Sequence, residues 1–422
     1  MRILLVNYRY FFSGGPERYL FNIKNLLEMN NNKVLPFSVE HPLNLPTPYA
    51  KYFLSGLTNH RDEIYYKDLK KSPYNILKLL QRNFYSFEAK RNINKLFRSN
   101  PVDVAYLLHF LKWISPSILD YLSQKKIPII VRLSDFSFIC PSSNFLRNKS
   151  ICELCKNGNL WPSIKYKCSQ NSTMTSVVNA LAISFHKFFH LFDKVDAFVC
   201  PSKFTLDKMK EAGFPENKLH HIPTFVNAND YMPHYDNGKY ILYYGRISKE
   251  KGVEFLINAY AKLARSNKIA QLIIVGRSND EEAERLKRKI LNENIPNIEI
   301  RDEVPPNEIQ QLIYNSVFIV VPSIWFDNMP NTILESYAAG KPVLASNFGS
   351  FPELIRPEVT GMLFQPAAVD DLAQKIQWML SHPNEIKLMG INARKYAEQN
   401  FLPQLHYKRL MNLFNKIILS KN

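Results

Sequence analysis

Short runs of Val, Ile and Leu recur along this chain, each separated from the next by a longer amphipathic stretch, and that alternation narrows the possible folds sharply. Near-continuous apolar runs suit parallel strands with helices on both faces, because neither face of such a strand meets water. Ile3 to Val6, Val102 to Leu108, Ile127 to Leu133 and Ala197 to Cys200 are the predicted strands of the first half. Tyr240 to Tyr244, Leu272 to Val275, Ile298 to Ile300, Phe318 to Val321 and Val343 to Ala345 repeat the rhythm in the second. Strands alternating with helices predict an α/β protein with parallel sheets. A turn-rich stretch from Pro223 to Gly238 separates the two sets, so two doubly wound domains are expected, residues 1–223 and 224–402.

Composition removes several alternatives. Hydrophobic residues at 46% and charged residues at 22% exclude a disordered, collagenous or coiled-coil chain. No stretch reaches the ~18 apolar residues of a membrane span, and Met1-Arg2 leads onto a short Ile-Leu-Leu-Val run rather than onto a secretory signal. Five cysteines in 422 residues are far too sparse for a disulfide scaffold, so a reducing, cytoplasmic location is expected. The net charge of +17 is uneven, with 31 Lys and Arg against 16 Asp and Glu in residues 1–225. The first half therefore calls for an anionic partner. No nucleic-acid recognition motif accompanies the charge, and none is expected as a partner.

Two segments interrupt the strand–helix rhythm. Pro73 to Arg98 reads as one basic amphipathic helix, either a membrane-surface helix or one packed on the sheet with a solvated basic face. Ser172 to Val195, apolar but broken by His186, Lys187 and His190, reads as a core or interface helix.

Several loops carry chemistry. Gly14 and Gly15 follow the first strand and precede a helix with Pro16 in its first turn, a pattern that lets backbone amides approach an anion. Arg246 and Lys251 lie just past a strand of the second half, where open α/β sheets bind ligands. Two fixed cations there suit a diphosphate, whose leaving charge they would offset. After the strand ending at Val321, an irregular loop holds Asp327 to Pro330, and a helix begins near Asn331 with Glu335 one turn in. A carboxylate at that position can accept two hydroxyls of a ribose, or it can simply complement the helix dipole.

This constellation resembles the retaining nucleotide-sugar glycosyltransferases of the GT-B fold, family 4 type. The matching pieces are Gly14-Gly15, Pro201-Ser202, Gly245-Arg246 with Lys251-Gly252, the Asp327 to Glu335 segment, Gly340 to Val343, and Pro352-Glu353. The resemblance runs from Met1 to about Phe401. It implies two Rossmann-like domains facing across a cleft, with the donor bound mostly by the second. By position, Arg246 and Lys251 would hold the diphosphate, Glu335 the ribose, and Asn328, Met329, Pro330 and Asn331 the donor sugar and phosphates, with Gly15 closing from the first domain. The implied donor is a UDP- or GDP-sugar and the implied reaction metal-independent transfer with retention. The acceptor would be a glycan or a lipid-linked one in surface polysaccharide assembly. The resemblance also implies that the last helix, residues 403–422, packs back on the first domain.

Two positions depart from that pattern. Asp327 stands where the family has the first of two glutamates, and Ser134 stands where it has a first-domain histidine. Asp135, next to Ser134, and His109, ending the preceding strand, are the candidates to supply the missing hydrogen-bonding chemistry. The catalytic candidates are thus Asp135, Ser134, His109 and Asp327. These departures leave room for a different class of function, a catalytically degenerate nucleotide-sugar-binding partner subunit.

Cys140, Cys152, Cys155 and Cys168 cluster in an insertion spanning about residues 136–172. The Cys152-Glu-Leu-Cys155 spacing fits a structural zinc site, reduced thiols in a packed insertion, or a redox pair. The basic first half leads to the expectation of a cytoplasmic enzyme, peripheral on the inner membrane face and drawn to anionic lipid.

Overall fold

Among the described residues, eight strands fall in the first part of the chain: β1 (Arg2–Asn7), β2 (Lys33–Phe37), β3 (Val104–His109), β4 (Ile129–Arg132), β5 (Leu146–Arg147), β6 (Ser150–Ile151), β7 (Ala197–Cys200) and β8 (Leu219–His221). Six follow: β9 (Tyr240–Tyr244), β10 (Gln271–Val275), β11 (Ile298–Arg301), β12 (Ser316–Val321), β13 (Val343–Ser346) and β14 (Gly361–Phe364). The computed structural model describes residues 1–57, 72–148, 150–236, 238–264, 269–278 and 280–421. Residue 149 of the cysteine-bearing insertion and residue 237 of the interdomain stretch lie outside that set.

The chain divides into two units. One holds Met1–Phe145, Glu153–Ile222 and Tyr407–Asn422, and the other holds Leu146–Cys152 and Pro223–His406. The small antiparallel β5–β6 hairpin thus groups with the second unit, although its sequence lies inside the first. Each unit is built on a six-stranded parallel sheet, in the orders β2-β1-β3-β4-β7-β8 and β11-β10-β9-β12-β13-β14.

Strand periodicity explains why the runs are apolar throughout. Successive side chains point to opposite faces, and both faces are covered. In β9, Leu242 and Tyr244 join a core with Ile333, Leu334 and Tyr337, while Ile241 and Tyr243 join another with Leu256, Ile257 and Tyr260. In both sheets the strand order reverses beside the first strand, between β1 and β3 and between β9 and β12. Loops leaving the carboxyl ends of strands at such a reversal part to opposite sides and leave a crevice.

The structure corrects the reading of residues 73–98 as a single helix. Pro73–Phe84 and Phe87–Ser99 are separate helices, because Tyr85 is extended and the Ser86 hydroxyl accepts the Ala89 amide to cap the second. Arg82 is fully buried and donates to the Ser55 carbonyl at 2.6 Å and to Glu88 at 3.2 Å. Thr173–Phe188 is a helix that packs on Pro73–Phe84 through Phe185 against Phe84 and through Asn179, whose side-chain oxygen accepts from Asn83 at 3.3 Å. Among the described residues no helix is long and apolar enough to cross a membrane.

Candidate functional site

In the second unit the candidate donor residues converge where β9 and β12 end. β9 runs into Gly245, and a short 3₁₀ turn, Lys249–Lys251, leads through Gly252 into the helix Val253–Ala264. Gly252 has φ +70°, and a Cβ there would sit 1.9 Å from the Pro322 carbonyl oxygen. Only glycine allows this turn to press against the end of β12. The Ile324 amide donates to the Glu250 carbonyl at 2.9 Å and pins the two loops together.

That pinning places Lys251 on Asp327. The ammonium donates to both carboxylate oxygens, at 2.8 and 2.9 Å, and the two side chains are only 19% and 11% exposed. Ser323 Oγ donates to Asp327 Oδ2 at 2.9 Å, and Ser350 Oγ to the Asp327 carbonyl at 2.6 Å. Arg246, more than half exposed, pairs with Glu250 at 3.4 Å. Its guanidinium lies 5.7 Å, and the Lys251 ammonium 5.2 Å, from the centre of the Trp325 ring. Both cations thus lie within 5.7 Å of the centre of one ring.

Glu335 lies on the helix Asn331–Ala338 and is buried at 7% exposure. Tyr244, the last residue of β9, donates its hydroxyl to Thr332 O at 2.9 Å and reaches Glu335 Oε2 at 3.3 Å. The helix begins after an extended Pro330 with no side-chain cap, and while the Ile333 amide donates to the Pro330 carbonyl at 3.2 Å, the amides of Asn331 and Thr332 precede the helix's own bonding pattern. Of the other loop residues, Met329 is buried and its sulfur accepts the Thr224 amide at 3.1 Å, whereas Asn328, Pro330 and Asn331 are half-buried. Met329 thus packs inward. Lys341, in the segment that restarts the sheet, is buried, and burial pushes its pKa down to about 8.

In the first unit β1 and β3 end together, with the Tyr8 amide donating to the His109 carbonyl at 2.9 Å. His109 Nε2 donates to Asp135 Oδ2 at 2.7 Å, so two residues singled out separately in the sequence form one pair, each side chain about a quarter exposed. The Ser137 amide donates to Asp135 Oδ1 at 2.9 Å. Burial works against the charge on Asp135, but His109, the Ser137 hydrogen bond and Lys112 outweigh it and lower the pKa to about 2. Burial likewise opposes the His109 imidazolium, and the Asp135 carboxylate overcomes it, raising that pKa above its usual value. Tyr8 packs edge-on against the imidazole at 5.5 Å. Ser134 Oγ accepts from Arg132 at 3.3 Å. Lys112 donates to Pro141 O at 3.2 Å and Ser143 Oγ at 2.8 Å, fastening the start of the insertion beside this pair.

Gly14 precedes the helix Gly15–Met29 in an extended conformation with no side-chain cap. A Cβ on Gly14 would meet only ordinary contacts, 3.6 Å from Glu17 Oε2. The buried Glu17 carboxylate already complements the dipole in that first turn.

The zinc expectation is not met. Among the described residues no group of three or more His, Cys, Asp or Glu side chains is placed to hold a metal ion, and none of Cys140, Cys152, Cys155 and Cys168 is in a disulfide. Cys155 packs with Leu160, Ala180 and Ile183, and Cys140 Sγ lies 3.1 Å from Ser142 Oγ. Adjacent thiols in a sequence need a shared focus to bind metal, and local packing wins here. Sequence spacing also missed Trp325, Ser323 and Lys112. Trp325 and Lys112 act through neighbours far away along the chain, whereas Ser323 acts on Asp327 within the same loop, and the indole standing between that Ser and Asp was a visible signal.

Residues 230–396 match the family described as Glycosyl transferases group 1. The GDP-mannose-dependent monoacylated alpha-(1-6)-phosphatidylinositol monomannoside mannosyltransferase of Corynebacterium glutamicum is 23% identical over 52% of this chain and 62% of its own. Among solved structures, sucrose-phosphate synthase from Thermosynechococcus elongatus is 16% identical, covers 99% of both chains and superposes with a TM-score of 0.73. HepE of Anabaena, in complex with UDP and glucose, is 15% identical, covers 99% of this chain and 100% of its own, with a TM-score of 0.67. At these identities the structural likeness is one of fold. The chain spans about half the length of the curated relatives it matches first.

Proposed function

Because the chain belongs to the glycosyl transferases group 1 family and has the GT-B fold, we propose that it transfers a sugar from a nucleoside-diphosphate sugar to a glycan or lipid-linked acceptor, with retention of configuration. The observation that carries this reading is the pair of cations Arg246 and Lys251, fixed at the strand reversal of the second sheet. Cations held in place before the reaction stabilise charge developing on a leaving diphosphate without reorganising during the step. Glu335 would accept the ribose hydroxyls, and the amides opening the helix at Asn331 would meet phosphate or sugar. The donor is UDP- or GDP-linked in this reading, since the relatives named above are described with UDP and with GDP-mannose.

In the first unit the His109–Asp135 pair supplies what the family's histidine would lend. Asp135 keeps the imidazole charged and oriented, so that His109 can act on a donor or acceptor hydroxyl. Incubating the chain with UDP-glucose, UDP-N-acetylglucosamine and GDP-mannose, and measuring free sugar with and without acceptor, tests the reading. Release of sugar from one donor supports it; release from none, with no thermal stabilisation by any nucleoside diphosphate, counts against it.

Asp327 favours a second reading. Its carboxylate is committed to Lys251 and Ser323, an arrangement that a non-catalytic nucleotide-sugar binder would share. Stabilisation by a nucleotide sugar with no turnover on any acceptor would select that reading.

In this reading the acceptor side meets an anionic membrane surface. On Thr173–Phe188, Met174, Leu181 and Phe188 recur every seven residues and are each more than half exposed, and Tyr74, Ile76 and Leu77 are exposed on Pro73–Phe84 beside it. Apolar stripes on a strongly basic unit fit a lipid interface. Co-sedimentation with vesicles that did not depend on anionic lipid would argue against this placement.

A further inference from the structure

We infer that Trp325 is a donor-site residue whose ring holds Arg246 and Lys251 side by side and whose indole N–H completes the seat for the diphosphate. The inference rests on the reading of those two cations as diphosphate ligands. Like charges placed together repel, and something must offset that repulsion before a ligand arrives. Glu250 serves Arg246 and Asp327 serves Lys251, but neither carboxylate spans both cations. Among the described residues the group that both reach is the Trp325 ring, whose π-system carries negative charge on its faces and whose centre lies 5.7 Å from the guanidinium and 5.2 Å from the ammonium.

The loop geometry holds the ring there. Trp325 is flanked by Ile324, whose amide is bonded to the Glu250 carbonyl, and stands two residues before Asp327, which grips Lys251. The 3₁₀ turn and the indole loop therefore move as one piece. Trp325 Nε1 is buried and has no hydrogen-bond partner. A buried donor left unmatched is costly. The ligand that two adjacent cations attract, an anion with several acceptor oxygens, is also the one that would satisfy this N–H.

The same geometry reassigns Asp327. With both oxygens on Lys251 and one also accepting from Ser323, it is a positioning residue for the ammonium, not a sugar ligand. The short side chain suits that work, because it reaches across to the turn and stops there.

The test is binding of inorganic pyrophosphate, which carries neither base nor sugar, to the full chain and to Trp325→Phe, Trp325→Leu and Arg246→Ala. Thermal unfolding of each variant is read first, and Trp325→Phe, which keeps a flat ring, stands if the leucine variant does not fold. Losing the π-face under two cations should weaken pyrophosphate roughly tenfold in Trp325→Leu. Keeping the face and losing the N–H should give a smaller loss, about threefold, in Trp325→Phe. In donor hydrolysis both variants should raise KM and change kcat less, a split that a general loss of packing does not produce. If the unmutated chain and Arg246→Ala both fail to bind pyrophosphate, the donor-site reading falls and this inference with it. If the unmutated chain binds, Arg246→Ala weakens binding, and both Trp325 variants bind within twofold of it, the role of Trp325 alone is overturned.

Discussion

Replacing Asp135 by Asn removes the charge that His109 depends on while keeping the side chain's shape. The carboxyl pKa stands at about 2 against an ordinary 3.8, so folding favours the ionised form by nearly two units. At ~1.36 kcal/mol per unit, that is about 2 kcal/mol of stability at pH values where the group is charged in both states. Because its folded pKa is depressed, this contribution is present above 3.8 and is lost as pH falls through 3.8 towards 2. The His109 contribution has the opposite sense. Its folded pKa is raised, so it stabilises below 6.5 and is lost as pH rises through the raised value.

The advantage of the unmutated chain over Asp135→Asn should therefore be widest between about pH 4 and 6.5 and should narrow on both sides. In that window the first unit should melt lower by roughly 4–8 °C in the variant. Thermal unfolding of both proteins from pH 3 to 9 reads this directly. A difference that stays flat across the range would refute the reasoning, because only the loss of a neutral contact behaves that way.

Three further outcomes are expected. His109→Ala should lower turnover sharply while nucleoside diphosphate binding in the second unit survives; equal loss of both would remove His109 from its assigned role. Glu335→Ala should abolish most of the stabilisation given by a nucleoside diphosphate, which at a hundredfold excess over Kd is worth ~2.7 kcal/mol; unchanged stabilisation would separate Glu335 from the nucleotide. Gly252→Ala forces a Cβ into the Pro322 carbonyl at φ +70° and should destabilise the second unit by about 1–3 kcal/mol or more in urea unfolding, with Lys251 displaced. Unaltered stability and donor affinity would mean the turn has room the structure does not show.

The central strands were legible because burial on both faces leaves no choice but apolar side chains. Ile3–Val6, Tyr240–Tyr244 and Phe318–Val321 all lie within observed strands. β2, β8 and β14 were not read, and each lies at the edge of its sheet. β2 contains Pro36, β8 is three residues with two histidines, and β14 opens on Gly361, so none carries an unbroken apolar run. Edge strands need fewer apolar neighbours and tolerate such residues.

The candidate site was legible one residue at a time but not as a network. Arg246, Lys251, Asp327 and Glu335 stood out by type and order along the chain. That Lys251 would grip Asp327, and that His109 would pair with Asp135, depends on contacts between loops distant in sequence, which periodicity does not report. The cysteines illustrate the converse: a suggestive local spacing met packing that, among the described residues, gathers no metal-holding group and no disulfide.

The most direct test of the account is turnover of nucleoside-diphosphate sugars by the purified full chain beside Lys251→Ala. The account predicts that one UDP- or GDP-sugar releases its sugar with the anomeric configuration retained, and that Lys251→Ala slows this release strongly. Sugar release unaffected by the loss of Lys251, or release with inverted configuration, would contradict it.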